Sequence, residues 1–411
     1  MRLLAWPCVV LGIVIAAGSV IDAVSATAPE SRVNVQPAPR TADRVSWARD
    51  PGPSTATFPQ TKVSVKGTDF TINGVPTFLL GWSYFDASNW RASDLDAIRA
   101  TRFNFVRAVV DWGSDVSPLT AAGTWSSAAK RDALLAFVDA CAARGIVVLL
   151  SILNPFSDQP AFNNHAAVAA GNRGVAISTV TATFAQKTNV LWDLMNEHDV
   201  DARFQVGGLI NATHSDITNQ RWKARILANI PGALWSISIS NFDDGDVFYG
   251  PQNLSISAAQ RADLAFHYAA DQLNATIFLC HHHWSSNWFD LLGDRLTLMR
   301  AEMTALGRRI PLIVDEEIGF GTSILYPPPA GTTDPTAAQY ATAVTNARRA
   351  GAAGFIMHNF AVYDLRSQSM IQQLNAEAAV AMATIGVANA SAPRAGIAAY
   401  QASRVRRSQS R

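Results

Sequence analysis

The chain has 411 residues, of which 49% are hydrophobic and 16% charged, a balance that builds a substantial core and excludes a disordered chain. The formal net charge is +1, so no global field selects nucleic acid or an anionic membrane as partner. Of three cysteines, Cys8 falls in an N-terminal apolar run. Cys141 and Cys280 remain as expected free, buried thiols, with neither CxxC nor zinc spacing around them.

Arg2, the apolar run Leu3–Val20 and the small residues Ala23-Val24-Ser25-Ala26 follow the order of a secretory signal, with cleavage near Ala26. The alternative is an uncleaved N-terminal anchor, a possible membrane tether, because the run approaches spanning length. Either way the folded part is expected outside the cytoplasm, secreted or held at the envelope. Residues 1–26 are thus signal or anchor. Residues 27–60, with Pro29, Pro37, Pro39, Pro51, Pro53 and Pro59, read as an extended linker. The body is expected over 61–390, and 391–411 as a flexible basic tail ending Arg404-Val-Arg-Arg-Ser-Gln-Ser-Arg411. A monomer is expected.

Within the body, Thr61–Phe70 alternates as a half-exposed strand, and Asn73-Gly74 is a hairpin turn signal before a buried strand. Strands then alternate with helical segments. Eight strands are expected at 78–84, 103–110, 146–153, 190–197, 233–240, 263–268, 310–317 and 353–360. The helices between them are expected near 94–100 (with Ser93 as N-cap), 127–144, 172–186, 217–230, 291–306 and 337–350, with a last one at 369–385. This rhythm predicts an α/β fold, a (β/α)8 TIM barrel preceded by a short β-hairpin. A doubly wound open sheet is weaker, because Gly81-Trp82-Ser83 after the first strand is not a GxGxxG loop.

Two strand ends carry carboxylates. Asn189-Val-Leu-Trp-Asp-Leu-Met runs apolar and stops on Asn196-Glu197-His198-Asp199; 120 residues after Glu197, Ile310–Val314 ends in Asp315-Glu316-Glu317. Barrel strands converge at one rim, so distant carboxylates can face each other there. Retaining glycoside hydrolysis needs such a pair: one protonated to meet the leaving oxygen, the other ionised to attack the anomeric carbon.

Phe70-Thr-Ile-Asn-Gly-Val-Pro-Thr-Phe-Leu-Leu-Gly81, Trp192-Asp-Leu-Met-Asn-Glu197 and Pro311-Leu-Ile-Val-Asp-Glu-Glu-Ile-Gly319 resemble the first, fourth and seventh strand motifs of clan A glycoside hydrolases, above all the family 5 cellulase and mannanase group. The resemblance implies Glu197 as acid/base, Glu317 as nucleophile and Asn196 as the partner of the sugar 2-hydroxyl. It implies a supporting role for Arg107 and places His267 and Tyr268 near the site on the sixth strand. It implies a polysaccharide or oligosaccharide substrate and no metal or organic cofactor. Glu316 stays the alternative to Glu317, since one residue of register decides which side chain turns inward. His198 and Asp199 are read as loop residues with no chemical task.

Trp112 and Trp284, in loops, are candidate platforms for sugar rings. His281-His282-His283 is read as an exposed loop, since three consecutive histidines do not converge on one metal ion in extended or helical backbone. No GxSxG elbow is present for a serine hydrolase. The third strand ends Leu153-Asn154-Pro155 without the family's His, and the eighth carries His358-Asn359 where the family has Trp. These departures motivate a second reading, a barrel that binds glycan without cleaving it. A metal-dependent barrel hydrolase is third.

Overall fold

The computed structural model describes residues 60–111, 117–154, 167–198, 217, 219–239, 274–282, 288–319, 334–359 and 364–391. The expected signal or anchor, the linker apart from Gln60, and the tail apart from Ser391 lie outside them. Among the described residues no helix is long and apolar enough to cross a membrane.

The first ordered segment is an antiparallel sheet of three strands, β1 (Val63–Lys66), β2 (Asp69–Ile72) and β3 (Val75–Thr77). The single strand expected over Thr61–Phe70 is divided at Gly67, whose φ of 66° belongs to the left-handed region that glycine enters without steric cost. The Asn73-Gly74 turn forms as expected, both residues having positive φ. The sheet is tied to the barrel by Val63 N–H, which donates to Thr188 O, and by the Thr188 hydroxyl, which donates to Thr61 O.

Eight parallel strands follow: β4 (Leu79–Ser83), β5 (Phe105–Val109), β6 (Val147–Leu153), β7 (Val190–Met195), β8 (Trp235–Ser236), β9 (Phe278–His282), β10 (Leu312–Gly319) and β11 (Gly354–Asn359). Each of β5 to β8 pairs with its predecessor, β11 pairs with both β10 and β4, and β10 pairs with β9. Between the two ends of the order, Ile239 and Cys280 form a parallel bridge, with Ile239 N–H donating to Leu279 O and His281 N–H to Ile239 O. These bonds close the expected (β/α)8 barrel.

The sixth strand is a correction. It was expected at Asp263–Tyr268, which lies outside the described residues; the strand between β8 and β10 is Phe278–His282. The physical reason is the stretch Ile277-Phe278-Leu279-Cys280, apolar and fully buried, which suits a strand covered on both faces. His281 and His282 therefore belong to a barrel strand and not to an exposed loop.

The helices fall near their expected places, at Ala92–Ala100, Ala128–Ala142, Arg173–Thr183, Trp222–Asn229, Trp288–Ala305 and Ala337–Arg349. Ser93 is not an N-cap: the first helix begins two residues earlier than expected, at Ala92, after Arg91 and with no side-chain cap. The expected last helix is two, Met370–Gln373 and Ala376–Ser391. Asn375 separates them, its side chain accepting from Ala378 N–H at 2.8 Å in the manner of an N-cap. Gly386 lets the last helix lie against the Thr101 carbonyl, where a Cβ would come within 1.9 Å.

The barrel interior changes character along its axis. Leu79, Phe105, Val147, Leu149, Leu191, Ile277, Leu279, Ile313 and Ile356 fill the lower layers, joined by Val63 and Phe70 from the antiparallel sheet. Alternate positions farther along the strands carry Ser83, Arg107, Ser151, Asp193, His281, Asp315 and His358, all buried. The apolar layers hold the strands together, and the polar layer lies at the C-terminal rim, where barrel enzymes build their sites.

Candidate active site

β7 stops at Met195, and Asn196, Glu197 and His198 turn away from the strand. Glu197 takes φ 44°, a left-handed conformation that costs a side-chain-bearing residue energy and persists only where its surroundings impose it. They are visible. Glu197 N–H donates to Ser238 Oγ at 2.9 Å, and Asn196 N–H to Leu153 O at 2.9 Å. His198 N–H donates to Ser238 O at 3.1 Å, and His198 Nδ1 donates to the same carbonyl at 2.8 Å. His198, expected to be an idle loop residue, is thus buried and clamps the turn.

Arg107, on β5, is 1% exposed and stands at the centre of the polar layer. It donates to Ser151 Oγ at 3.2 Å and to the Asn196 side-chain oxygen. Its guanidinium lies 3.7 Å from Asp193 Oδ2 and 3.7 Å from Asp315 Oδ2. Asp193 also accepts from the Ser151 hydroxyl at 2.8 Å, from Ser238 N–H at 2.9 Å and from the Ser238 hydroxyl at 3.0 Å. Burial, and next the neighbouring Asp315 charge, push the Asp193 carboxyl up to about 6, against the pull of Arg107 and these donors.

His281 connects this layer to Glu197. Its Nδ1 is 3.0 Å from Glu197 Oε1, and its Nε2 is 3.4 Å from Asp315 Oδ2. On the opposite wall Ser83 Oγ is 2.8 Å from His358 Nδ1, and the Phe85 ring meets the His358 ring edge-on at 5.2 Å.

β10 carries a bulge next to Val314. Val314 pairs with Cys280 and the next pair is Glu316 with His281, so Asp315 is the extra residue on that side; Glu317 pairs with His282 and, across the other edge, with Met357. A bulge of this kind re-aims side chains and is frequent beside active sites.

The fold brings Arg107, Asn196 and Glu197 together, and sets the backbone of Glu316 and Glu317 on the same rim. His267, Tyr268, Trp112 and Trp284 lie outside the described residues. Ser151, Asp193, Ser238, His281 and Asp315 were not foreseen. Asp193 had a signal, an acidic residue two positions after Leu191 inside an apolar run. His281 would have followed from recognising Ile277–Cys280 as the sixth strand.

Residues 63–231 match the cellulase family, glycosyl hydrolase family 5. Over that segment the chain is similar to family 5 glycoside hydrolases. Solved structures agree on its fold. The endo-1,4-β-mannanase of Rhizomucor miehei superposes with a TM-score of 0.53 at 11% identity, over 80% of this chain and all (100%) of that one. The family 5 mannosidase of the same organism gives 0.53 at 12%, over 85% and 100%. The endo-1,4-β-D-mannanase of Thermotoga petrophila RKU-1 gives 0.52 at 11%, over 76% and 99%. No curated protein sequence matches the chain. The matched segment ends with the helix Trp222–Asn229 and its turn, and so contains Arg107, Asp193, Asn196 and Glu197.

Proposed function

We propose that the chain cleaves O-glycosidic bonds of an extracytoplasmic glycan with retention, through a glycosyl-enzyme intermediate. The observation that carries this reading is Glu197, held by Ser238 and His281 beside Asn196 and Arg107, on the same rim as the end of β10. Glu197 protonates the departing oxygen while Glu317 attacks the anomeric carbon; the Glu197 carboxylate then takes a proton from the water that releases the sugar. The leader-like order of Arg2, Leu3–Val20 and Ala23–Ala26 supports the location outside the cytoplasm.

The Glu-x-Gly spacing of Glu317-Ile318-Gly319 supports Glu317 as nucleophile, whereas the level pairing of Glu316 with His281 supports its neighbour. A panel of β-mannan and β-glucan oligosaccharides, with the anomeric form of the first product followed by NMR, tests the reaction. Retention is expected, with loss of turnover in Glu197→Gln and Glu317→Gln. Full rates in both variants on a cleaved substrate would refute the assignment, and inversion would refute the intermediate. When the missing carboxylate is the nucleophile, azide displaces the dinitrophenolate of a 2,4-dinitrophenyl glycoside directly and gives a glycosyl azide of inverted configuration, so that product from Glu316→Gly and not from Glu317→Gly would transfer the role. Glycan retained by the protein without product would favour a binding role instead.

A further inference from the structure

We propose that the face of the barrel opposite the rim docks on an anionic phospholipid surface, which turns the rim with Glu197 away from that surface. The proposal does not depend on the reaction assigned above.

The eight strands run parallel, so their N-terminal ends, and the helix ends that lead into them, share the face opposite the rim. The antiparallel sheet covers this face, with Val63 and Phe70 packed into the lower layers of the barrel. The net charge of +1 hides a segregation. Lys62 and Lys66 on the sheet, Arg102 before β5, Arg309 before β10 and Arg349 before β11 are all exposed, and none forms an ion pair among the described residues. Other cations at this end are spoken for. Arg144 lies 2.7 Å from Asp96 and Lys187 2.5 Å from Asp139. Arg308 donates to the Asn274 side chain and the Ala275 carbonyl, and Arg348 lies over the Phe78 ring at 5.1 Å. Against the exposed cations stand Asp69, the sheet's one acidic residue, and Glu302 on the last turn of the helix Trp288–Ala305.

Helix dipoles explain only part of this charge. A cation in the last turn of a helix offsets the negative end of its dipole, an effect confined to that turn, and Arg99 and Arg349 occupy such places. Lys62 precedes β1 and Lys66 ends it, and Arg102 and Arg309 lie in turns beyond the helix ends. Arg102 also has φ 65°, whereas the matching turns before β6, β10 and β11 use Gly145, Gly307 and Gly351 at 75°, 70° and 87°. A side chain in the left-handed region costs energy. The turn before β5 thus carries an arginine where glycine is the unstrained choice.

Charge complementarity and the rest of the chain select the occupant. The body begins at this face: the Thr61 hydroxyl donates to the Ala142 carbonyl at the end of the helix Ala128–Ala142. Forty residues separate Thr61 from Val20, the end of the apolar run Leu3–Val20. At most ~3.6 Å per residue, they hold the body close to any bilayer that takes up that run. The last helix ends at the same face, where Gly386 rests on the Thr101 carbonyl, and residues 392–411 beyond it carry five arginines and no acid. A bilayer with anionic headgroups therefore meets cations wherever the body approaches it through its own chain ends. Each cation at such a surface strengthens attachment about fivefold, over a range of one Debye length.

Amide hydrogen exchange of the full-length protein tests this, with vesicles of phosphatidylcholine alone and with vesicles that also contain phosphatidylglycerol. Slower exchange is expected in residues 62–77, 306–310 and 348–353 with the anionic vesicles only, fading at high salt, and no change at the rim in 196–198. Equal protection by both vesicles would mean attachment through the apolar run alone. Protection at the rim, or none, would also overturn the proposal. So would protection by soluble polyphosphate without protection by anionic vesicles, which would point to an anionic envelope polymer. Flotation then compares two double variants of equal net charge. Lys66→Glu/Arg309→Glu should weaken binding to anionic vesicles about tenfold or more, and Arg131→Glu/Arg366→Glu, at exposed sites on the rim end, less than about threefold. Equal losses would assign the attraction to net charge and not to this face. The exchange measurement needs only the wild type and decides the matter should a variant fail to fold.

Discussion

Ser238 Oγ accepts the backbone N–H of Glu197 at 2.9 Å and donates its own hydrogen to Asp193 Oδ2 at 3.0 Å. One hydroxyl thus couples the backbone of the proposed acid/base to the buried charge layer beneath it. Ser238→Ala removes the acceptor of one buried N–H and a donor to a buried carboxylate. Leaving a buried polar group unsatisfied costs about 1–3 kcal/mol, so urea unfolding should show a loss of that order. The turn carrying Glu197 loses its support, so kcat should fall more than KM rises. An unchanged kcat beside the lost stability would confine Ser238 to a structural task.

Arg107 is the cation between two buried carboxylates, Asp193 and Asp315, and also holds the Asn196 side chain. Arg107→Leu leaves like charges facing each other in a site that excludes water, a situation that costs about 3–5 kcal/mol when a buried pair is broken. Unfolding at pH 7 should show that loss. It should shrink toward pH 4, where the stranded carboxylates take up protons. Arg107→Lys should recover part of the stability and less of the activity, because an ammonium cannot reproduce the planar fork that meets several acceptors at once. A deficit independent of pH would argue against the two-carboxylate account.

The barrel and the place of Glu197 at a strand end were legible because each rests on a local signal. The run Val190–Met195 broken by Asn196-Glu197 announces a buried strand meeting a rim, and Arg107 interrupts a similar run on β5. The failures share one cause. Three consecutive histidines looked like exposed loop, so the strand that leads into them was placed instead at Asp263–Tyr268, and His281 was separated from Glu197. Asp315 was seen only as part of an acidic strand end. Its place beside Arg107 depends on a bulge, which adds one residue to one strand without a marker in the local sequence. Ser151 and Ser238 are ordinary residue types whose importance arises only from what stands across the barrel.

Asp111, at the end of β5, accepts from Ala167 N–H at 2.8 Å, Val168 N–H at 3.4 Å and the Ser117 hydroxyl at 3.2 Å, which fastens two rim segments to one carboxylate. Burial pushes it up to about 6, with those donors pulling the other way. Its folded value therefore lies above the ~3.9 of an unfolded aspartate. Between these values the folded state binds more protons than the unfolded state, so stability falls as pH rises from about 4 to about 6. Below that window the contribution is fully present, and above it the cost of the buried charge is constant. Asp111→Asn removes this titration. The stability of wild type relative to the variant should decline across that window by up to about 3 kcal/mol, at 1.36 kcal/mol per pH unit, and level off above pH 6.5. Parallel pH profiles for the two proteins would refute it.

The backbone of Glu197 gives a prediction separate from its chemistry. At φ 44° the residue sits where a Cβ is disfavoured. Both Glu197→Ala and Glu197→Gly remove the carboxylate and the contact with His281, so both should lose activity alike. They should differ in stability. Glycine enters the left-handed region freely but loses more chain entropy on folding, whereas alanine keeps the strain, and at positive φ the strain is the larger effect. Glu197→Gly should therefore unfold at a higher denaturant midpoint than Glu197→Ala, by about 1 kcal/mol. The reverse order would mean that the turn after β7 is not strained, and that Ser238 and His198 hold a conformation the chain would adopt unaided.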